Sequence, residues 1–110
     1  MLFRSYRKVQ ANVGLVANTI NSYTVGGNIT TVLIGLSLCN TTGATINGSV
    51  FLNNGANVHY LIKNAPITTG GTLIVVGGDQ KIVLQAGDNV KVVSDTVNSI
   101  DALMSIMEIS

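Results

Sequence analysis

The chain has 110 residues, enough for one domain whose stability margin is thin. Only 10% of its residues are charged, against roughly 25% in an ordinary soluble domain, while the hydrophobic fraction of 46% is unremarkable. One cysteine and one histidine exclude an intrachain disulfide framework and any multi-cysteine or multi-histidine metal centre.

Asn, Thr and Ser stand where charge is missing. A neutral polar surface is poor at keeping copies apart, and interfaces are depleted in Lys, Glu and Asp. The composition therefore points to a protein that works in contact with copies of itself or with a larger assembly.

Charge is unevenly placed. Arg4, Arg7 and Lys8 fall within the first eight residues. The remainder carries Lys63, Lys81 and Lys91 against Asp79, Asp88, Asp95, Asp101 and Glu108, so a basic segment precedes a slightly acidic body. Residues 1–9 read as a basic arm that orders only on a partner, because chain ends stay mobile unless tied down. Its expected contacts are Arg4, Arg7 and Lys8 to carboxylates, with Leu2, Phe3 and Tyr6 as apolar anchors. So few charges are a poor nucleic-acid signal, and the expected partner is a protein. After Lys8 the run Val9-Gln10-Ala11-Asn12-Val13-Gly14 is too polar for a secretory core. No run of about 18 apolar residues offers a membrane span.

From residue 10 to 110 the chain reads as one β domain. Turn-forming clusters recur: Gly26-Gly27-Asn28, Asn40 to Gly43, Asn53-Asn54-Gly55, Pro66, Gly70-Gly71, Gly77-Gly78-Asp79 and Ala86 to Asn89. Segments rich in Val, Ile, Thr and Leu lie between them, the pattern of a sandwich or barrel. The first strand is expected over Val13 to Val25, broken near Asn18 to Asn21, and the second over Ile29 to Asn40. The third, Thr45 to Asn53, alternates, with Ile46, Gly48, Val50 and Leu52 on one face. Asn54-Gly55 is a hairpin turn because both residues tolerate positive φ, and a strand from Asn57 to Asn64 follows. Further strands are expected over Thr72 to Val76, Lys81 to Gln85 and Asn89 to Ser94. Ser99 to Ile109 fits a helical stripe through Ile100, Leu103, Met104 and Met107, and also a strand with Leu103, Met107 and Ile109 on one face. The strand reading gives about eight strands in two packed antiparallel sheets, a jelly-roll-like sandwich. Val50, Leu52, Ile74, Val83, Val90 and Val92 are the expected core.

Little in the chain suggests catalysis. Cys39 and His59 both fall inside strands, and a hydrolytic site needs a base positioned beside its nucleophile. Cys39 reads as a buried, inert thiol. The Gly-Gly pairs precede no helix, so they serve as corners with positive φ, not as phosphate cradles. Gly77 to Asp88 resembles the Gly-Asp turns of cupins, but cupin metal sites need clustered histidines. Asp79 and Asp88 read as turn residues. The sequons at Asn28, Asn40 and Asn47 are expected in a chain this rich in Asn and Thr. No enzyme activity, cofactor or metal is expected.

Longer phrases carry a resemblance. The run Tyr60 to Ile67, then Gly70-Gly71-Thr72-Leu73-Ile74-Val75-Val76-Gly77-Gly78-Asp79-Gln80-Lys81-Ile82-Val83-Leu84, Gly87-Asp88, Val90-Lys91-Val92, Ser94, Ser99 and Ser105 to Ile109 is similar to small virion proteins of tailed bacteriophages, many from phages of cyanobacteria. Tyr6 to Val9 and Ser22 to Val25 extend the similarity over nearly the whole chain. The resemblance implies a virion location and a structural role. A capsid decoration (cement) protein, bound to the major capsid protein or other virion proteins as an oligomer and expected as a trimer, stands first. A neck, tail or fibre-attachment ring and a free ligand-binding module remain open, although the last needs an aromatic platform that no cluster of aromatics in the sequence supplies.

Overall fold

The computed structural model describes residues 2–77 and 81–110. Every regular element there is a strand: β1 (Phe3–Val13), β2 (Asn18–Thr24), β3 (Thr30–Asn40), β4 (Ile46–Asn54), β5 (Asn57–Ile67), β6 (Thr72–Val76), β7 (Ile82–Leu84), β8 (Asn89–Ser94) and β9 (Ile100–Ile109).

The pairings nest. β4 pairs with β5, β3 with β6 and β7, β2 with β8, and β1 with β9, all antiparallel. This is one long two-ply ribbon closed at the β4–β5 hairpin. Rolling the ribbon adds β3 to β9 and β4 to β8. The result is two sheets, β1-β9-β3 flanked by β6 and β7, and β2-β8-β4-β5. β6 and β7 share one side of β3 in succession, so they fill a single strand position. The topology is that of a jelly roll, in which two sheets divide eight strand positions.

Alternation explains the core. β8 and most of β9 bury every second residue: Val90 and Val92 on β8, then Ile100, Ala102, Met104 and Ile106 on β9. Leu33, Leu36 and Leu38 of β3 and Val50 of β4 meet them between the sheets. Gly48 admits this close approach, since a Cβ there would lie 3.1 Å from Ile100 Cδ1 and 3.3 Å from Ile67 Cδ1.

Several expectations need correction. Phe3 to Gln10 do not stand off as an arm: they pair residue by residue with β9, and Leu2 N donates to Ser110 O at 2.8 Å. Neither end of this ladder stops at residue 9, so the boundary between arm and domain disappears. The first predicted strand, Val13 to Val25, is β2, which residues 14–17 separate from β1, and its register shifts between Thr19 and Thr24, where Asn21 and Ser22 take positive φ. Pro66 makes no turn, because β5 is an edge strand whose outer side needs no donor. Ile74 and Val83 are 64% and 59% exposed, and Leu52 is half-buried. Cys39 is half-buried, not enclosed. Of the glycine pairs, Gly70 has positive φ, whereas at Gly26-Gly27 the following Asn28 takes it. Gly78, Asp79 and Gln80 lie outside the described residues.

The β4–β5 turn is Gly55-Ala56, one residue later than read, with Gly55 at φ +58°. Asp88 is the turn residue expected: it is 8% exposed and accepts from Gln85 N at 2.8 Å and Asn54 Nδ2 at 2.6 Å. Asn40 is 1% exposed and fully engaged, which closes that sequon to modification.

Candidate functional site

One face of the sandwich stands out. Residues directly opposite in an antiparallel ladder point to the same side, so the register fixes the outer side of the β1-β9-β3 sheet. One transverse row is Val9, Leu103, Ser37 and Ile74; a second is Ser5, Met107, Val32 and Val83. Arg7, Ser105 and Gly35 lie between them, with Phe3, Ile109 and Thr30 beyond. Phe3, Val9, Leu103, Ile74 and Val83 are all more than 40% exposed. Two shallow grooves cross the face. The larger, of about 320 Å³, runs past Val9, Ser37, Cys39, Thr72, Asp101 and Leu103. The other, of about 240 Å³, lies between Ile74 and Leu103 over Gly35 and Ser105. Exposed apolar rows on a sheet face of this kind make it a candidate for contact with another molecule.

The predicted partner residues divide across this sheet. Phe3 and Arg7 belong to the outer face. Arg4, Tyr6 and Lys8 pair with Glu108, Ile106 and Met104 and so point to the opposite side, towards β2. There Lys8 Nζ sits 5.1 Å from the ring centroids of both Tyr6 and Tyr23. Leu2 continues the ladder and is 48% exposed. The structure therefore does not gather the six residues into one surface. Charged side chains on β1 also suit an edge strand, where they oppose pairing with stray strands.

Beside Lys8 lies a clasp that the sequence did not disclose. Tyr23 of β2 donates its hydroxyl proton to Glu108 Oε2 of β9 and meets the buried Thr31 hydroxyl of β3 at 2.8 Å. These bonds tie the two sheets at one end of the sandwich. Burial first, and then the bond to Glu108, push the Tyr23 phenol up to about 12. A phenol whose pKa is raised by folding contributes stability below its ordinary value near 10, and that contribution disappears as pH rises through 12. Denaturation of the wild type between pH 9 and pH 12 should show a fall in stability that is smaller in Tyr23→Phe. Equal slopes for the two proteins would contradict the clasp.

On the other sheet, Phe51 and Tyr60 form a tilted pair with centroids 5.4 Å apart, and Lys63 Nζ lies 5.0 Å from the Tyr60 ring. His59 stands exposed opposite Leu52 of β4, in the sheet that does not contain Cys39. The structure thus places the two candidate nucleophilic-site residues in different sheets. Among the described residues no group of three or more His, Cys, Asp or Glu could hold a metal ion. Among the same residues no helix is long and apolar enough to cross a membrane.

No protein-family model and no curated protein sequence matches the chain. Solved structures do. A subunit of the disulfide-linked pili formed by Bacillus endospore appendages aligns over 99% of this chain and 87% of its own, at 12% identity and a TM-score of 0.53. This likeness is one of fold, and it supports the sandwich architecture. A pentameric capsid protein from metagenomic phage sequences aligns over 94% of this chain at 18% identity and a TM-score of 0.44. A protein of infectious bursal disease virus, Gt strain, aligns over 97% at 11% identity and a TM-score of 0.47. The chain spans 59% and 32% of the lengths of these last two proteins.

Proposed function

We propose that this chain is a non-enzymatic structural building block of a bacteriophage particle, and that it serves as a capsid decoration protein, held on the shell as an oligomer. The observation that carries the reading is the apolar outer face of the β1-β9-β3 sheet, in a chain with only 10% charged residues. A surface so poor in charge is suited to permanent contact. The resemblance of the sequence to small tailed-phage virion proteins supports the location. Phe3 and Arg7 would contribute to assembly through this face, and the N-terminal segment acts as part of the sheet. Leu2, Arg4, Tyr6 and Lys8 would contribute only at the sandwich edge.

Quantitative mass spectrometry of purified virions tests the reading. The chain should be present in a copy number that follows the shell lattice. A small number matching one ring per particle would reassign it to the neck or tail, and its absence from washed particles would refute the virion role.

A further inference from the structure

We infer that the outer face of the β1-β9-β3 sheet is occupied by the same face of a second copy of this chain, forming a two-fold sheet-on-sheet pair. The inference deepens the proposed structural role by naming the partner of that surface. Its grounds are area, charge and relief.

The face is about four strand positions wide at ~4.8 Å each and about nine residues long at ~3.4 Å each. Two such faces together remove roughly 1,200 Å² from water, which reaches the range of specific, stable interfaces. The outward strand positions carry two charges, Arg7 and Asp101. Arg7 is on the edge strand β1, and Asp101 is near one end of the central strand β9. On this face the middle strands β9 and β3 therefore carry no charge between Asp101 and the far end, and charge is depleted there as it is in the core of a protein interface. One cation and one anion per copy also make the face neutral towards itself. A face bearing one sign alone would repel its own copy.

The relief suits a packed sheet. Leu103, Ile74, Met107 and Val83 project, while Gly35, Ser37 and Ser105 leave the grooves between them. Two sheets that face each other interdigitate projecting and small residues in this way, with strands aligned within about 30°. A two-fold places the same patch on both copies, so one surface supplies both halves of the contact. The pair, in place of the trimer expected from composition, is then the smallest unit of assembly.

Sedimentation equilibrium of the full chain from about 1 to 100 μM provides the test. A dimer is expected, and Leu103→Asp should raise the dissociation constant by about 100-fold or more, since it places a charge on the central strand β9; Ile74→Asp, on the flanking strand β6, should raise it by about 10-fold or more. Ile74 is 64% and Leu103 42% exposed and both point out of the sandwich, so the variants should keep the wild-type circular dichroism and a melting temperature within a few degrees of wild type. Tyr60→Ser, on the other sheet, should dimerise as the wild type does. A monomeric wild type, or dimers unaffected by both Asp variants, overturns the inference. A monomer that binds isolated shells, and loses that binding in Leu103→Asp, assigns the face to a shell protein and also overturns it. A monomer found in purified particles refutes the pair and leaves the virion role standing. A dimer absent from particles does the reverse.

Discussion

Replacing Asn40 by Ala should destabilise the domain by roughly 2–4 kcal/mol, because one buried and several part-buried polar groups lose their partner at once. Asn40 ends β3 where the chain leaves one sheet for the other. Its Nδ2 donates to Ala44 O at 2.8 Å and to Ile67 O at 2.9 Å, and its Oδ1 accepts from Thr42 N at 2.9 Å and from the Thr42 hydroxyl at 2.8 Å. One side chain thus holds the crossing loop and fastens it to the end of β5. Asn40 itself is 1% exposed, and its bond to the Ile67 carbonyl is buried, so water does not readily replace that bond. Chemical denaturation should show the loss as a lower midpoint with an unchanged slope, and the melting temperature should fall by about 10 °C or more. Asn40→Asp should be at least as damaging, since it sets a carboxylate against the Ala44 and Ile67 carbonyls. Thr42→Ala should cost less, about 0.5–1.5 kcal/mol, because it removes one hydroxyl and leaves the Asn40 amide bonds in place. A loss below about 0.5 kcal/mol for Asn40→Ala would show that the loop holds itself.

The sequence identified Asn40 only as a turn residue, and the reason is general to this fold. Partners of Asn40 and Tyr23 come from strands far along the chain, and a nested ribbon gives no local sign of which distant strands will meet. The strands themselves were legible wherever β-branched runs lie between turn residues, as in β3, β6 and β8. β9 was ambiguous because Ile100, Met104 and Met107 satisfy a helical spacing as well. Pairing on both sides, with β1 and with β3, decides for the strand, since a central position offers a ladder to every peptide group. The face assignment failed at Ile74 and Val83 for a different reason. Alternation reveals the inner side only when the outer side is polar. Here the outer side of the β1-β9-β3 sheet is itself apolar, so both parities look like core. Register alone resolves them: Ile74 pairs with Ser37 and Val83 with Val32, both on the outward side. The basic N-terminal segment was misread because its charges suit an edge strand as well as they suit a free arm. The same features that hid the outer apolar face in the sequence are those that define it in the structure.

Inward and outward apolar residues should therefore respond very differently to truncation, and Leu38 gives the largest expected loss. It is fully buried, and its neighbours in register are Ala102 on β9 and Leu73 on β6. Across the sandwich it covers Gly48, where a Cβ would lie 3.6 Å from Leu38 Cδ1. Leu38→Ala should cost about 3–5 kcal/mol, at the upper end for such changes, because Ala102 and Gly48 are too small to collapse into the space. Val83→Ala, measured alongside in a Leu103→Asp background that keeps copies apart, should stay within about 0.5 kcal/mol. A double-mutant cycle sharpens the prediction. Gly48→Ala alone should destabilise by about 1–3 kcal/mol, since its methyl crowds Ile100 and Ile67. In the Leu38→Ala protein the Ile100 side chain can swing into the vacated volume, so the added methyl should cost less there, with a coupling of about 0.5 kcal/mol or more. Additive losses in urea denaturation would mean that the two sheets do not share a cavity at Leu38 and Gly48. Equal losses for Leu38→Ala and Val83→Ala would place Val83 in the core and remove the apolar face proposed for assembly.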